Sequence, residues 1–454
     1  MESCGEIPRE GAIVKETLRV AWPSMLESFA NNLAGLIDMI LVGSLGTTAI
    51  AAVGLTTQPT FIALAPCFAL NAAVSAVIAR RKGENNGRSA NLILRMALIM
   101  TLVFTLVVSM LCVIFARPLM LMVGAQPDTI EMAADYYRVN MMGIIFMTLQ
   151  MSVNSAQKGV GNTRVPMVTN IVSNVVDMVV SYGLIGGHFG LPAMGVRGAA
   201  VGTVIGTGVG CFLSLSFVIF RRTDFLCLSS AKGWIADRQS RKALVKVGSS
   251  ALVEQICIRV GFLLFVMTVA NLGTPEMAAH QIGMNMMSIS FAFGDGLAIA
   301  SMTLIGQSLG RKRPDMAKLY GVSCQRVGLC FALLISLVYM TFGRGIFALF
   351  DRDRSEIVLN YGAVIMRILS IILILQIEQV VQFGCLRGAG DTKYTAAISL
   401  ISVTLIRPGM SFLLCYPLGL GLVGAWLGTA CDQLVRFVLS YRRFHKGEWT
   451  KLKL

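Results

Sequence analysis

Long apolar runs alternate with short polar connections along the whole chain. Each run has roughly 20 residues or more, which is enough for a helix to cross a hydrocarbon core about 30 Å thick. We therefore predict a transmembrane helix in each of twelve runs: 20–43, 51–79, 93–115, 130–155, 165–186, 198–220, 247–270, 278–307, 319–342, 358–384, 395–416 and 423–440. The pattern predicts an all-α integral membrane protein with twelve transmembrane helices.

The charges in the connections predict the orientation. Connections after the even-numbered runs are rich in Lys and Arg, as in Arg80-Arg81-Lys82, whereas 44–50 and 271–277 contain neither. The connection 343–356 is an exception, since it contains three arginines. Because basic loops stay in the cytoplasm, we expect both termini there, in a multi-pass protein of the cell inner membrane or plasma membrane.

Composition agrees with this class: 55% of the residues are hydrophobic, 14% are charged, and the mean hydropathy is +0.71. The net charge of +15 is divided among short loop clusters, which argues against nucleic acid as a partner. The eleven cysteines occur singly, without the spacing of a metal site or a disulfide framework. The glycine-rich stretches lack the Lys-Ser/Thr of a nucleotide loop, so we expect no cofactor.

The chain contains two similar halves. Three residues and their copies share one offset: Glu27 with Glu254, Gly46 with Gly273, and Gly83 with Gly310. The segment 158–163 (KGVGNT) also recurs, as 387–392 (RGAGDT). Such duplication in an apolar chain is typical of transporters whose substrate path lies between two halves. It predicts two homologous six-helix lobes, 1–220 and 247–454, joined by a cytoplasmic linker, 221–246, that includes an interfacial helix around Trp234.

Two predicted helices have a polar stripe along one face. In the first, the stripe is formed by Glu27, Asn31, Gly35 and Asp38; in the fifth, it is formed by Asn170, Asn174, Asp177 and Ser181. Residues three and four apart share a helix face. A carboxylate in the bilayer interior is costly, so such acids face a bundle interior or a watery cavity and are functional candidates. Asp38 and Asp177 are the leading pair.

The repeat provides an internal control for these stripes. At the same offsets, Asp38 and Asn31 become Phe265 and Ile258, and Asn174 and Asp177 become Val403 and Ile406. A purely architectural role should be present in both copies, so the difference favours a functional role. Hydrogen bonding between helices is the alternative.

Other charged residues within the spans leave more than one interpretation open. Glu254 is either an ion ligand or a solvated or salt-bridging residue. Glu378 lies beside Gln376, Gln379 and Gln382, which form a polar seam that offers it hydrogen bonds. Three arginines within spans are interpreted as partners of buried carboxylates or as snorkelling side chains: Arg259, Arg367 and Arg407.

At these residues the chain resembles the multidrug and toxic compound extrusion (MATE) family. The similarity covers nearly the whole chain, and it is specific in the combination of four motifs: Ala21-Trp22-Pro23, DMILVG at 38–43, KGVGNT at 158–163 and LRGAGDT at 386–392. The resemblance implies a V-shaped pair of six-helix lobes that exports cationic or amphipathic compounds in exchange for Na⁺ or H⁺.

The resemblance also implies site residues. The family's first-helix acid corresponds to Asp38, its fourth-helix tyrosine to Tyr136 and its sixth-helix threonine to Thr203. The fifth helix departs from the family pattern: where many prokaryotic members have Asn and then Asp four residues later, this chain has Asp177 and Ser181. The predicted coupling site therefore comprises Asp38, Asp177, Asn174, Ser181, Tyr136 and Thr203, with Na⁺ at Asp38 and Asp177 as one alternative. In the second half, Glu254 matches the family's seventh-helix acid, while Gln376 replaces its tenth-helix acid.

Three function classes follow. A secondary multidrug exporter, acting as a monomer on small cationic or amphipathic substrates, accounts for the duplication and the acidic stripe. A lipid or oligosaccharide flippase of the same superfamily would share the fold, but it should have a basic cavity for anionic headgroups. A membrane-embedded enzyme would need a paired nucleophile and base or a metal site, neither of which the sequence contains.

Overall fold

A computed structural model describes residues 8–220, 225–228, 233, 237–350 and 356–452. These residues form helices and connections without a β-strand, so the predicted all-α class is confirmed. The twelve long helices, α1 to α12, are Glu10–Gly43, Thr47–Gly83, Gly87–Ile114, Ile130–Val160, Arg164–Gly186, Val196–Phe220, Arg238–Ala270, Thr274–Gly310, Pro314–Phe350, Glu356–Ala389, Thr392–Cys415 and Gly421–Lys446. A short helix, Ala116–Met122, lies between α3 and α4.

Each predicted span corresponds to one of these helices. Among the described residues, eleven helices are long and apolar enough to cross a membrane. The remaining one, α4, is also long, at 31 residues, but it contains buried polar side chains such as Gln150 and Asn154. The twelve-helix plan predicted from the apolar runs is therefore present.

One helix is irregular. In α11, regular α-helix at Thr392–Ser399 changes to π-helix at Leu400–Ile406 and returns to α-helix at Arg407–Cys415. A π-helical turn accommodates an extra residue, so it rotates the side chains that follow it relative to those before it.

The chain groups into two compact units. The amino unit is Phe29–Gly248, and the carboxy unit combines the described residues up to Ser28 with those from Ser249 onward. The first turns of α1 thus pack within the carboxy unit, where Thr17 and Ser323 hydroxyls lie 3.2 Å apart. The first turns of α7 pack within the amino unit, where Arg81 Nε donates to Ser240 Oγ at 3.2 Å. The bounds of the predicted lobes are set by the sequence repeat, whereas the bounds of these units reflect which helices pack together.

The described part of the predicted linker is held on α3. Asn91 Oδ1 accepts from the backbone N–H of Cys227 at 2.7 Å, and its Nδ2 donates to the carbonyl of Phe225 at 3.1 Å. Arg95 Nη1 donates to the carbonyl of Gly233 at 2.5 Å. These contacts satisfy backbone groups that have no secondary structure of their own. The interfacial helix predicted around Trp234 lies outside the described residues.

Candidate functional site

A glycine face on α6 allows α5 to approach closely. Gly198, Gly202, Gly206 and Gly210 are spaced four apart and lie on one helix face. A Cβ atom on Gly202 would lie 2.0 Å from Ser181 Oγ, and one on Gly206 would lie 2.7 Å from Asp177 Cβ. Only residues without a side chain fit at such an interface. The glycine face therefore fixes the part of α5 that contains Asp177.

Asp177 is held by hydroxyl groups. Its side chain is 9% exposed, and its Oδ1 accepts a hydrogen bond from Ser181 Oγ at 2.9 Å. The hydroxyl of Thr203 also interacts with this carboxylate, and it donates to the carbonyl of Ala199 at 3.1 Å. Two predicted site residues, Ser181 and Thr203, are thus positioned around the predicted acid.

Asp38 lies close enough to Asp177 for the two carboxylates to interact electrostatically. Asp38 is partly buried, and its Oδ1 atom is inaccessible and has no hydrogen-bond partner among the described residues. Tyr136, on α4, interacts with both acids. Like charges repel strongly where the dielectric constant is low, so a cation or a proton bound here would relieve the repulsion.

Asn174 has a different neighbour from the one expected. Its Nδ2 donates to Asn31 Oδ1 at 2.8 Å, so the two predicted stripes meet about one helical turn from Asp177 and about two from Asp38. Further along α5, Asn170 Oδ1 accepts from Gln150 Nε2 at 2.8 Å. The structure therefore brings Asp38, Asp177, Ser181, Tyr136 and Thr203 together. Asn174 lies outside this group, where it contacts Asn31.

Glu254 is ion-paired in the carboxy unit. Arg387 Nη2 donates to its Oε1 at 2.6 Å, and the Ser399 hydroxyl donates to the same oxygen at 3.1 Å. Thr395 Oγ1 donates to Oε2 at 3.4 Å, and Glu254 is only 3% exposed. Of the two interpretations left open by the sequence, the salt bridge is the one that this arrangement contains.

Two intramembrane acids were not identified from the sequence. Asp432, on α12, is fully buried and accepts from Arg407 Nη2 at 2.7 Å and from Arg436 Nη2 at 2.8 Å. Asp295, on α8, accepts from Ser28 Oγ at 3.1 Å. Both could have been found by the same rule that identified Asp38, namely an acid inside an apolar run. Within the described ranges, no group of three or more His, Cys, Asp or Glu side chains could hold a metal ion.

Comparisons with known proteins identify the family of the chain. The family model described as MatE matches residues 23–183 and 251–413, one stretch in each predicted half. The chain belongs to this family. Its members are transporters rather than enzymes, and the predicted MATE resemblance is confirmed.

Curated relatives of this family member match over nearly their whole length. A "Probable multidrug resistance protein NorM" from Thermotoga maritima is 26% identical over 449 residues, covering 98% of this chain and 94% of the relative. An "Uncharacterized transporter YisQ" from Bacillus subtilis is 24% identical and covers 95% of this chain and 94% of the relative.

Solved transporter structures share the fold. A MOP superfamily transporter from Pyrococcus furiosus superposes with a TM-score of 0.90 at 19% identity, covering 99% of this chain and 100% of that one. An outward-facing multidrug resistance MATE family transporter also gives a TM-score of 0.90, at 18% identity and the same coverage. At these identities the likeness concerns the fold alone. The chain is therefore a multi-pass, helical membrane transporter of the MATE family.

Proposed function

We propose that this protein is a secondary active multidrug efflux transporter that exchanges cationic or amphipathic compounds for Na⁺ or H⁺. The observation that carries the proposal is the pair of acids in the amino unit, of which Asp38 has an oxygen without a partner in the described chain. Relatives named as multidrug resistance proteins support the substrate class. On this proposal the transporter works as a monomer in the cell inner membrane or plasma membrane.

The Asp38–Asp177 pair supports ion coupling for an electrostatic reason. Two interacting carboxylates, one of them 9% exposed, are costly to keep charged together in a membrane protein. Binding of a proton, or of Na⁺ by the carboxylates and the nearby hydroxyls of Ser181 and Thr203, lowers this cost. The pair would exchange protons as one unit rather than as two independent acids.

Transport then requires that the ion and the substrate favour different conformations. A ligand shifts a conformational equilibrium only by its difference in affinity between the two states. The coupling ion, bound at Asp38 and Asp177, favours the conformation that releases the substrate to the outside. An incoming cationic compound favours the conformation in which these acids are without their ion.

The test is dye efflux from membrane vesicles under separately imposed Na⁺ and pH gradients. Efflux of a cationic dye driven by either gradient is the expected result, and the effective gradient identifies the ion. Movement of a lipid-linked sugar, with no dye efflux under either gradient, would favour the flippase alternative. Dye efflux that needs no gradient would contradict ion coupling.

We also propose that both termini and the 221–246 linker face the cytoplasm. The support is that connections rich in Lys and Arg alternate with connections poor in them, with 343–356 as the exception. Cysteines introduced in 44–50 and 271–277 should react with an impermeant thiol reagent from outside only. Labelling of either connection exclusively from the cytoplasmic side would contradict the proposed topology.

A further inference from the structure

Glu378 is a buried acid that the coupling site does not use. It lies in α10 within the carboxy unit, is 8% exposed, and has an Oε1 atom that is inaccessible. This oxygen has no hydrogen-bond partner in the described part of the chain. The residue thus differs from Glu254, whose carboxylate is bound by Arg387 in the same unit.

No described basic side chain pairs with Glu378. On α9, Arg326 pairs with Glu10. On α12, Arg436 pairs with Asp432 and Arg443 with Asp391. An unpaired carboxylate that is excluded from water is among the most expensive groups a membrane helix can contain.

The immediate surroundings of Glu378 are apolar or weakly polar. A Cβ atom built on Gly328 of α9 would lie 3.3 Å from Oε1 and 3.4 Å from Val381. The titratable groups that interact with Glu378 are the fully buried thiols of Cys324, on α9, and Cys385, on α10. None of the titratable groups described on α8 or α12 interacts with it.

The glutamine seam does not complete the carboxylate's hydrogen bonds. Gln382 Oε1 accepts from Ser440 Oγ at 2.5 Å, which directs this amide toward α12. Gln376 Oε1 and Gln379 Oε1 are themselves buried and have no partner among the described residues. The predicted seam therefore leaves Glu378 Oε1 without a hydrogen bond among the described residues.

We propose that Glu378 is a proton-binding site of the carboxy unit, which holds one proton at neutral pH separately from Asp38 and Asp177. A sodium ion fits less well because hard cations need several oxygen ligands, and Oε1 has no hydrogen-bonding group beside it in the described part of the chain. The proposal does not depend on multidrug efflux, since it concerns the protonation of the purified protein without a gradient.

The test is infrared spectroscopy of the full chain in sodium-free liposomes, with glutamate labelled by ¹³C at its side-chain carboxyl. The label shifts the infrared band of protonated glutamic acid away from the bands of the aspartic acids. Wild-type protein at pH 7 should show a protonated glutamic acid band that Glu378→Gln loses. Glu254→Gln is the matched control and should retain the band, because Glu254 is ion-paired with Arg387.

Absence of the band from wild-type protein, or its persistence in Glu378→Gln, would overturn the proposal. Disappearance of the wild-type band on addition of Na⁺ would also overturn it, in favour of a cation site. If Glu378→Gln does not fold, Glu378→Asp is the second variant. It should lose the labelled glutamic acid band and gain an unlabelled aspartic acid band.

Discussion

The α5–α6 pair of the amino unit and the α11–α12 pair of the carboxy unit share one packing arrangement. A Cβ atom on Gly202 would lie 2.0 Å from Ser181 Oγ, and one on Gly428 would lie 2.3 Å from Ser411 Oγ. Ser411 Oγ lies 3.2 Å from the carbonyl oxygen of Ala425, and Ser181 Oγ lies 3.4 Å from that of Ala199. The helix interface is thus conserved between the units although most of its side chains differ.

The charge at this interface is opposite in the two units. Arg407 lies four residues before Ser411, as Asp177 lies four before Ser181. Arg407 is 1% exposed, is ion-paired with Asp432, and has its guanidinium 5.7 Å from the ring centre of Phe265, the repeat counterpart of Asp38. The positions of two interacting acids are therefore taken by an arginine and a phenylalanine.

This comparison separates architecture from chemistry. The carboxy unit retains the packing and pairs the arginine at this interface internally, since Asp432 accepts from Arg407 and also from Arg436. The amino unit retains the same packing and leaves Asp38 Oδ1 without a partner among the described residues. The fold is maintained in the carboxy unit without the acids, which supports the proposal that they bind an exchangeable ion in the amino unit.

The largest effect should come from removing the acid that distinguishes the amino unit. We expect Asp38→Asn to insert normally and to lower the rate of gradient-driven efflux about tenfold or more, because the amide cannot exchange a proton and carries no charge for a cation. Asp177→Asn should lower efflux less, since Ser181 and Thr203 already bind that side chain. Efflux rates in vesicles, normalised to protein content, measure both changes.

Gln376→Ala and Glu378→Ala are the matched controls in the carboxy unit, and both should leave more transport than Asp38→Asn. Wild-type efflux by a well-expressed Asp38→Asn protein, under either gradient, would remove the support for this coupling site. Loss of efflux in Gln376→Ala alone would indicate that the coupling site lies in the carboxy unit.

The second effect concerns stability in the carboxy unit. Arg407→Met should lower the free energy of unfolding by about 3 kcal/mol, because it leaves the buried Asp432 with one cationic partner instead of two. Combining it with Asp432→Asn should recover part of the loss, because the buried carboxylate is then removed, although Arg436, whose side chain is 12% exposed, loses its partner. Thermal unfolding in detergent measures this, and equal stability of wild type and Arg407→Met would contradict a structural ion pair.

The sequence predicted the helices better than it predicted which residues are equivalent in the two halves. Counting from the KGVGNT repeat assigns Ile406 as the counterpart of Asp177. That offset holds at Ser402, whose hydroxyl donates to the carbonyl of Asp432 as that of Ser173 does to Gly206. The π-helix at Leu400–Ile406 then adds a residue, so Arg407 takes the position and the predicted Ile406 is wrong. A gapless offset cannot detect such an insertion.

The acids of the predicted site could be identified because charge inside an apolar run is a strong signal. Ser181 was identified from helical spacing, whereas Tyr136 and Thr203 came only through the family resemblance, since single hydroxyls are common in membrane helices. Asn174 has the spacing of the stripe but binds Asn31 instead of the carboxylates. Helical spacing specifies which face a residue occupies, and the neighbour on that face depends on how the helices pack.

A smaller effect should come from closing the space that Asp177 occupies. Gly206→Ala would place a methyl group 2.7 Å from both Asp177 Cβ and the carbonyl oxygen of Ser173. Such overpacking typically costs about 1–3 kcal/mol, and here it would also displace the acid. Gly208→Ala is the matched control, because its nearest neighbour is a Phe146 ring atom at 4.0 Å. Equal melting temperatures for the two variants would contradict the close α5–α6 contact.

The smallest effect should come from the start of the second repeat, where Asp237 caps α7. Its Oδ2 accepts from the Ser240 backbone N–H at 3.0 Å and its Oδ1 from Ser89 Oγ at 3.0 Å. Desolvation acts to raise the pKa of Asp237, but the hydrogen bonds from Ser240 and Ser89 and the charge of Arg81 together hold it below its ordinary value of 3.8. Asp237→Ala should therefore cost roughly 0.5–1 kcal/mol of stability at pH 7, as loss of a helix cap does.

The sign of the pH dependence follows from this lowered pKa. The folded protein binds the proton less readily than the unfolded chain, so the ionised carboxylate contributes its full stabilisation above about pH 4. The contribution is lost as the pH falls through the folded pKa. The difference in melting temperature between wild type and Asp237→Ala should thus be constant from pH 7 to about pH 5 and shrink below about pH 4. Asp128→Asn, in an exposed connection, is the control, and a difference that grows on acidification would contradict the cap.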